Sequence, residues 1–262
     1  MAHSPGVHPD VILYEHPLNE RIRTMMRLED LYRRALFFNA ATAPADHHAA
    51  LLALFEIADV SSRADLKTDI LQELERQRQL LAPLRNNPAI EHEALDSLLD
   101  EIDGVSARLL AQGGKIGAHL RDNEWLMAIK QRTALPGGVS EFDLPAFHYW
   151  LHLDPVARQR DLGAWLAPLL PIHEGLSIIL RILRENGKTG SHTAVNGVFQ
   201  LMLTTAKVAQ LLRLSLADGL SSVPEISANK YALNIRFLDI AGMERGALHE
   251  GDVEFDLMFC NL

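Results

Sequence analysis

Cysteine is almost missing from this chain: Cys260 is the only one in 262 residues. A lone thiol excludes an internal disulfide and any cysteine-built zinc cage, so a reducing compartment is the default expectation. Positive charge is also in short supply, with 25 Lys and Arg against 34 Asp and Glu. That balance argues against broad binding to a nucleic-acid backbone, although a local basic face can still dock an acidic partner. Uninterrupted apolar runs stay far below the ~20 residues that cross a bilayer, so no membrane span is expected. The opening MAHSPGVHPD lacks the basic start and apolar run of a signal peptide. A cytoplasmic location follows by elimination. Catalytic signatures are missing too: there is no GxSxG elbow and no dinucleotide glycine fingerprint, and Gly113-Gly114-Lys115 lacks phosphate-loop spacing.

What is present is apolar content, 48% of residues, enough for one large domain or two modest ones. Residues 1–10 are polar and proline-punctuated and are expected to be mobile. Val11 to Tyr14 is apolar and β-prone, and the stretch 11–16 is a candidate strand able to pair with the distant C-terminal part. From Asn19, a candidate cap, a helix begins with Ile22, Met25, Tyr32 and Leu36 facing inward. Arg23, Arg27 and Arg34 project within about 40° of one another on its other side. Two readings of that basic line compete: a solvated face paired with Glu20 and Asp30, or a grip for a carboxylate-bearing peptide.

Farther on, Pro44 and Asp46-His47-His48 read as a turn with both histidines at the surface, before a short apolar helix over 49–57. Leu66, Ile70, Leu74 and Leu81, then Leu95, Leu98, Ile102, Val105 and Leu109, recur at helical spacing around a break at Pro83 to Pro88. They predict an antiparallel hairpin of two helices, packed within the subunit or across a dimer. Gln112-Gly113-Gly114 ends it, and the next helix carries Arg121, Trp125 and Arg132 at i, i+4 and i+11. Asp154-Pro155 starts another helix, and the apolar run at Leu176, Ile179, Leu180 and Leu183 predicts a buried one.

Gln131 to Leu153 is where the chain changes character. Pro136-Gly137-Gly138 ends one helix, and Asp143 with Pro145 marks the start of the next. That helix concentrates Phe147, His148, Tyr149, Trp150 and His152, a combination more typical of a packed junction than of a reaction centre. His148 and His152 stand at i and i+4, but Tyr149 occupies the place where a zincin needs glutamate, so no metal site is expected. His148 remains a candidate to hold a partner carboxylate.

Beyond Gly187 the period becomes alternating. Leu212 to Leu216, Tyr231 to Phe237, Val253 to Leu257 and Val195 to Leu203 read as antiparallel strands, with Asn196-Gly197 as a bulge or tight bend and Asp218-Gly219, Ala241-Gly242 and Glu250-Gly251 as turns. Residues 187–236 hold Lys188, Lys207, Arg213, Lys230 and Arg236 against Asp218 and Glu225, a local positive excess in an acidic chain; Glu244 to Asp256 reverses the sign. The fold class expected is α+β: a helical domain over 11–186 followed by an antiparallel β domain over 187–262.

Four stretches, YEHPLNERIRTMMRLEDL at Tyr14 to Leu31, IGAHLRD at Ile116 to Asp122, QRTALPGG at Gln131 to Gly138 and FDLPAFHYWLHL at Phe142 to Leu153, together resemble the bacterial cell-division protein ZapD family. The resemblance implies a non-enzymatic, cytoplasmic factor at the midcell division site, free of cofactors, that binds the tubulin-like protein FtsZ and bundles its filaments as a homodimer. With it, the candidate partner-binding residues are Arg23, Arg27, Arg121, Arg132, His148, Lys230 and Arg236. They would serve the acidic, apolar C-terminal tail that FtsZ proteins carry. Two alternatives stand beside this: an enzyme with a site near His148, His152 and Asp143, and a nucleic-acid module on the Arg23-Arg27-Arg34 face. The acidic balance and the lack of basic-aromatic alternation count against the second.

Overall fold

The computed structural model describes residues 11–62, 66–88, 90–202, 209–240 and 246–262. The ten N-terminal residues, Lys207, Ala241-Gly242 and Glu244 lie outside the described residues. Contacts divide the chain into two compact units, one holding the segment up to Arg23 with Arg181–Leu262, the other Thr24–Leu180. The fold class is α+β as expected, with helices leading into small antiparallel sheets.

The helices are α1 (Glu20–Ala40), α2 (Pro44–Ser61), α3 (Leu66–Leu81), α4 (His92–Ala111), α5 (Ala118–Arg121), α6 (Glu124–Thr133), α7 (Pro145–Leu151), α8 (Pro155–Leu166) and α9 (Leu170–Glu185). Asn19 caps α1, its Oδ1 accepting the Ile22 N–H at 2.8 Å. The buried stripe of α1 runs Met25, Leu28, Tyr32, Ala35. Leu36, expected to face inward, is exposed, because it sits 100° beyond Ala35 around the helix. The same one-residue correction applies in α4, where Leu99 rather than Leu98 completes the row with Leu95, Ile102, Val105 and Leu109. α9 comes close to these helices through Gly175, where a Cβ would lie 2.6 Å from Ile70 Cγ2. Its Leu176, Ile178, Ile179 and Leu180 are fully buried, as the apolar run predicts.

His47 is the clearest departure from the sequence reading. α2 begins at Pro44 rather than after the histidines, and His47 is completely buried rather than at the surface. Its Nε2 donates to the Ala41 carbonyl at 2.9 Å, and its Nδ1 accepts from Arg158 Nε at 2.7 Å. Arg158, itself buried, also donates to the carbonyls of Leu151 and Thr42, each at 2.6 Å. A buried guanidinium is tolerable because every direction it points in holds an acceptor. His48 is half-buried, edge-on to Phe147.

Taken as one helical run, Pro155–Glu185 is long and apolar enough to cross a membrane by length and composition alone, and half of its most apolar window is buried within the structure. Counting uninterrupted apolar residues missed this run because Arg158, Arg160, Asp161 and Glu174 interrupt it. Such burial is that of a core helix of a folded domain.

In the other unit, β1 (Val11–Pro17), β4 (Leu211–Ala217), β7 (Val253–Cys260) and β2 (Gly187–Ala194) form one antiparallel sheet in the order β1-β4-β7-β2. β3 (Val198–Met202), β6 (Ala232–Asp239) and β5 (Ser222–Ala228) form a second, ordered β3-β6-β5. The candidate N-terminal strand thus pairs with β4, Val11 opposite Ala217 and Pro17 opposite Leu211. Leu212, Leu214, Leu216, Val253, Phe255 and Leu257 from the first sheet meet Leu233, Ile235 and Phe237 from the second in one buried core. The two sheets therefore pack face to face, each alternating strand placing every second residue inward. β2 and β5 escaped the sequence reading. Both are edge strands, where GKTGSHTA needs no buried row and Pro224 needs no ladder partner on its open side. The chain passes from β2 to β3 through Asn196-Gly197, with φ of +48° and +70° and Val198 N–H donating to Val195 O at 3.0 Å, which makes the expected bend a two-residue turn.

Candidate functional site

The stretch at which the sequence changes character is built from a rigid inside and an open outside. Asn123 caps α6, accepting the Leu126 N–H at 3.1 Å, so Arg121 belongs to the separate one-turn α5. The single helix expected to carry Arg121, Trp125 and Arg132 is therefore two. After α6 the chain reverses through Gly137, at φ +69°, and Gly138, where a Cβ would fall 2.3 Å from the Arg132 carbonyl. On the inside, Phe147 and Trp150 of α7 are buried; both meet Trp125, at 6.3 and 5.9 Å between centroids, Trp150 also meets Trp165 at 5.9 Å, and Trp125 and Trp165 meet at 5.5 Å. Trp150 Nε1 donates to Asp161 at 3.1 Å. Aromatic pairs of this kind contribute about 0.5–1.5 kcal/mol each beyond their burial, enough to fix the orientation of α7.

The outer side of the same segment is unusually apolar for a surface: Phe142 is 83% exposed, Tyr149 69% and Leu135 52%. Two of the candidate residues meet here. Arg132 reaches Asp143 at 3.3 Å and His148 Nε2 lies 3.6 Å from Glu141, so both side chains engage one short turn from its two ends. Asp143 does not cap α7. Its carboxylate accepts from Ser140 Oγ at 2.9 Å and pairs with Arg132, leaving Leu144 in the cap position. The His148 and His152 rings lie 4.4 Å apart at a tilt of 49°, and His152 Nδ1 donates to the His148 carbonyl at 2.8 Å. Among the described residues no group of three or more His, Cys, Asp or Glu side chains is arranged to hold a metal ion.

The other candidates stand elsewhere. Arg121 is exposed and makes no ion pair among the described residues; its guanidinium lies over Gly117. Arg23 pairs with Glu20 at 3.0 Å in the first turn of α1, and Arg27 is exposed one turn later. Arg34 is held between Asp30 and Glu56. In the sheet unit Lys230 sits 4.7 Å over the Tyr231 ring, and Arg236 of β6 faces its register partner Glu225 at 3.4 Å. Arg213 has turned to Glu15, which it shares with Arg184 at 3.1 and 2.8 Å. The local positive excess is thus distributed over separate strands and turns.

These pairings do not remove the arginines from use. Apart from the largely buried Glu15 pairs, these arginines are about half exposed, and exposed pairs contribute only about 0.2–1 kcal/mol, so a competing carboxylate can take the guanidinium at little cost. Sequence reasoning did not single out Phe142 and Leu135, whose signal is only an apolar residue beside Glu141 and Pro136 in a turn.

The described residues form an α+β protein that presents arginine side chains beside solvent-exposed aromatics. A family model described as a cell division protein, ZapD, matches residues 26–236. A relative from Aromatoleum aromaticum, itself named cell division protein ZapD, is 54% identical over 96% of this chain and 98% of its own length. Relatives of the same name from Azoarcus sp. and Chromobacterium violaceum are 52% and 49% identical, over 96% and 95% of this chain and 100% and 99% of theirs. The chain belongs to the ZapD family of cell division proteins, and its role is in cell division.

Proposed function

We propose that this protein is a non-enzymatic crosslinker of FtsZ filaments, acting in the cytoplasm at the division site as a homodimer. Each subunit holds the acidic, apolar C-terminal tail of one FtsZ molecule. The observation that carries the reading is the turn at Ser140 to Asp143, where Arg132 and His148 stand beside exposed Phe142 and Tyr149. Guanidinium and imidazolium would take the tail's carboxylates from Asp143 and Glu141, and the exposed rings would cover its apolar residues. Arg121, Arg23, Arg27, Lys230 and Arg236 extend the attraction as long-range steering rather than as contacts of equal weight. Two such sites on one dimer bridge two filaments, because the second binding event becomes intramolecular.

The test is fluorescence anisotropy with a labelled peptide of the FtsZ C-terminal tail. Arg132→Glu and Phe142→Ser should each weaken binding about tenfold or more, and Arg132→Lys should recover part of it. Unchanged affinity in both variants would remove this site from the proposal.

A further inference from the structure

We infer that the open face of the first β-sheet is a second docking surface, one that takes a basic amphipathic helix from a protein partner. The surface carries the opposite sign to the residues proposed for the FtsZ tail, shares none of them and lies wholly within the sheet unit. The register of β1, β4, β7 and β2 lines up the side chains of this face in cross-strand rows. Leu13, Ser215, Asp256 and Ser191 form one continuous row, and beyond it Val11 stands opposite Ala217 and Glu254 opposite Thr193. Between them β4 contributes the small Ala217 and Ser215, while β1 raises Val11 and Leu13 on one flank and β7 raises Glu254 and Asp256 on the other. The result is an open trough of about 900 Å³ with a small-residue floor, an aliphatic wall and an acidic wall.

The strands that carry the two walls, β1 and β7, are two strand spacings apart, about 9.6 Å, so a helix about 10–12 Å across lying over Ser215 and Ala217 would touch both walls. At the third row the trough closes on Arg213, held by Glu15, beside Met258. An antiparallel sheet with one face on its core ordinarily turns a polar face to water. Here Val11 and Leu13 are 39% and 45% exposed on an edge strand. Across from them, Glu254 has no partner among the described residues, and Asp256 accepts only from Ser191 Oγ, at 2.6 Å. Two exposed carboxylates with no cation against them among the described residues, facing an aliphatic rail, select a ligand with Lys or Arg along one flank and Leu, Ile or Val along the other.

The test uses the full-length protein and a labelled helical peptide of about three turns, with leucines at i, i+3, i+4 and i+7 and lysines elsewhere. Two controls share its length: a scrambled peptide without the period, and one with glutamate in place of lysine. The wild type should bind the Leu/Lys peptide over both controls, with affinity falling as salt rises. The double change Glu254→Lys and Asp256→Lys should cost at least about tenfold. The milder Glu254→Gln with Asp256→Asn should cost less, and covers the case in which the reversal does not fold. Leu13→Ser should weaken binding with the salt dependence retained. In a methionine-methyl spectrum, Met258 should shift on titration and Met202 should not. Equal binding to the carboxylate variants, equal binding of the scrambled peptide, or no binding at all would overturn the inference. So would sedimentation showing that the wild type already buries this face against a second copy. At physiological salt, where exposed charges are screened over ~8–10 Å, FtsZ-tail affinity should change by less than about twofold in the Glu254→Gln, Asp256→Asn variant, which separates failure here from failure of the proposed function.

Discussion

At the scale of single residues, Arg158 is where burial and polarity are most tightly bound together. Truncating it to Met would leave Thr42 O, Leu151 O and His47 Nδ1 facing one another without donors. The expected loss is about 3 kcal/mol or more, measured by urea unfolding, because each buried acceptor stripped of its partner carries its own desolvation cost. Nothing in the sequence marks Arg158 out, since an arginine four residues after a helix cap reads as surface. Histidines set the acid limit. Burial pushes the protonation of His16, His48 and His173 down, with Arg23 adding to the effect at His16. The unfolded chain then binds more protons than the folded one below about pH 6.5, so stability is full above that value and falls as pH drops through it. Melting temperature should decrease between pH 7.5 and 5.5, and a His48→Gln, His173→Gln variant should lose less over the same interval. An equal loss in the variant would assign the acid sensitivity to other groups. Asp239 acts lower on the scale. Hydrogen bonds from Ser222 and His249 hold its carboxyl below the usual range, so its contribution persists above about pH 4 and disappears only below.

Elements in this protein are fixed by a few caps, turns and small residues. Replacing Asn19 by Ala should cost about 1 kcal/mol, the usual value for an N-cap oxygen that satisfies a free helix N–H. Gly175→Leu should destabilise by about 1–3 kcal/mol, because the new side chain would overlap Ile70 where α9 lies close to α3. Both are checked by denaturant midpoints. The turns and caps were legible beforehand because their chemistry is local: Asn19, Asp154-Pro155, Asn196-Gly197 and Asp218-Gly219 all act where they were expected. The inward strands were legible for the same reason, since alternation of Leu, Ile and Phe has one meaning. What was not legible depended on partners far along the chain. His47 is buried because of Arg158, 111 residues away, and β2 is a strand because β7 lies beside it. Registers slipped by one at Leu36 and Leu98 because the apolar period there admits two neighbouring rows, and packing alone selects between them.

Over the whole molecule, charge is the organising property. A chain with nine more acidic than basic side chains repels anions at a distance, so an acidic tail must find cations that stand clear of that background. Family membership was readable from four short stretches. Of the candidate residues, Arg132 and His148 reach one turn, whereas Arg121 lies in a separate helix from the one expected to carry it. Spacing along a helix cannot foresee where a helix breaks. Exposed charges interact over a screening length of ~8–10 Å, so tail binding should weaken steadily from low to physiological salt and beyond. The central claim, a dimer that bridges filaments by their tails, is tested most directly by low-speed sedimentation of FtsZ polymer, with this protein added, using full-length FtsZ and FtsZ lacking its last dozen residues. Bundles that pellet only with the full-length polymer are the predicted result; equal pelleting of the truncated polymer would contradict it.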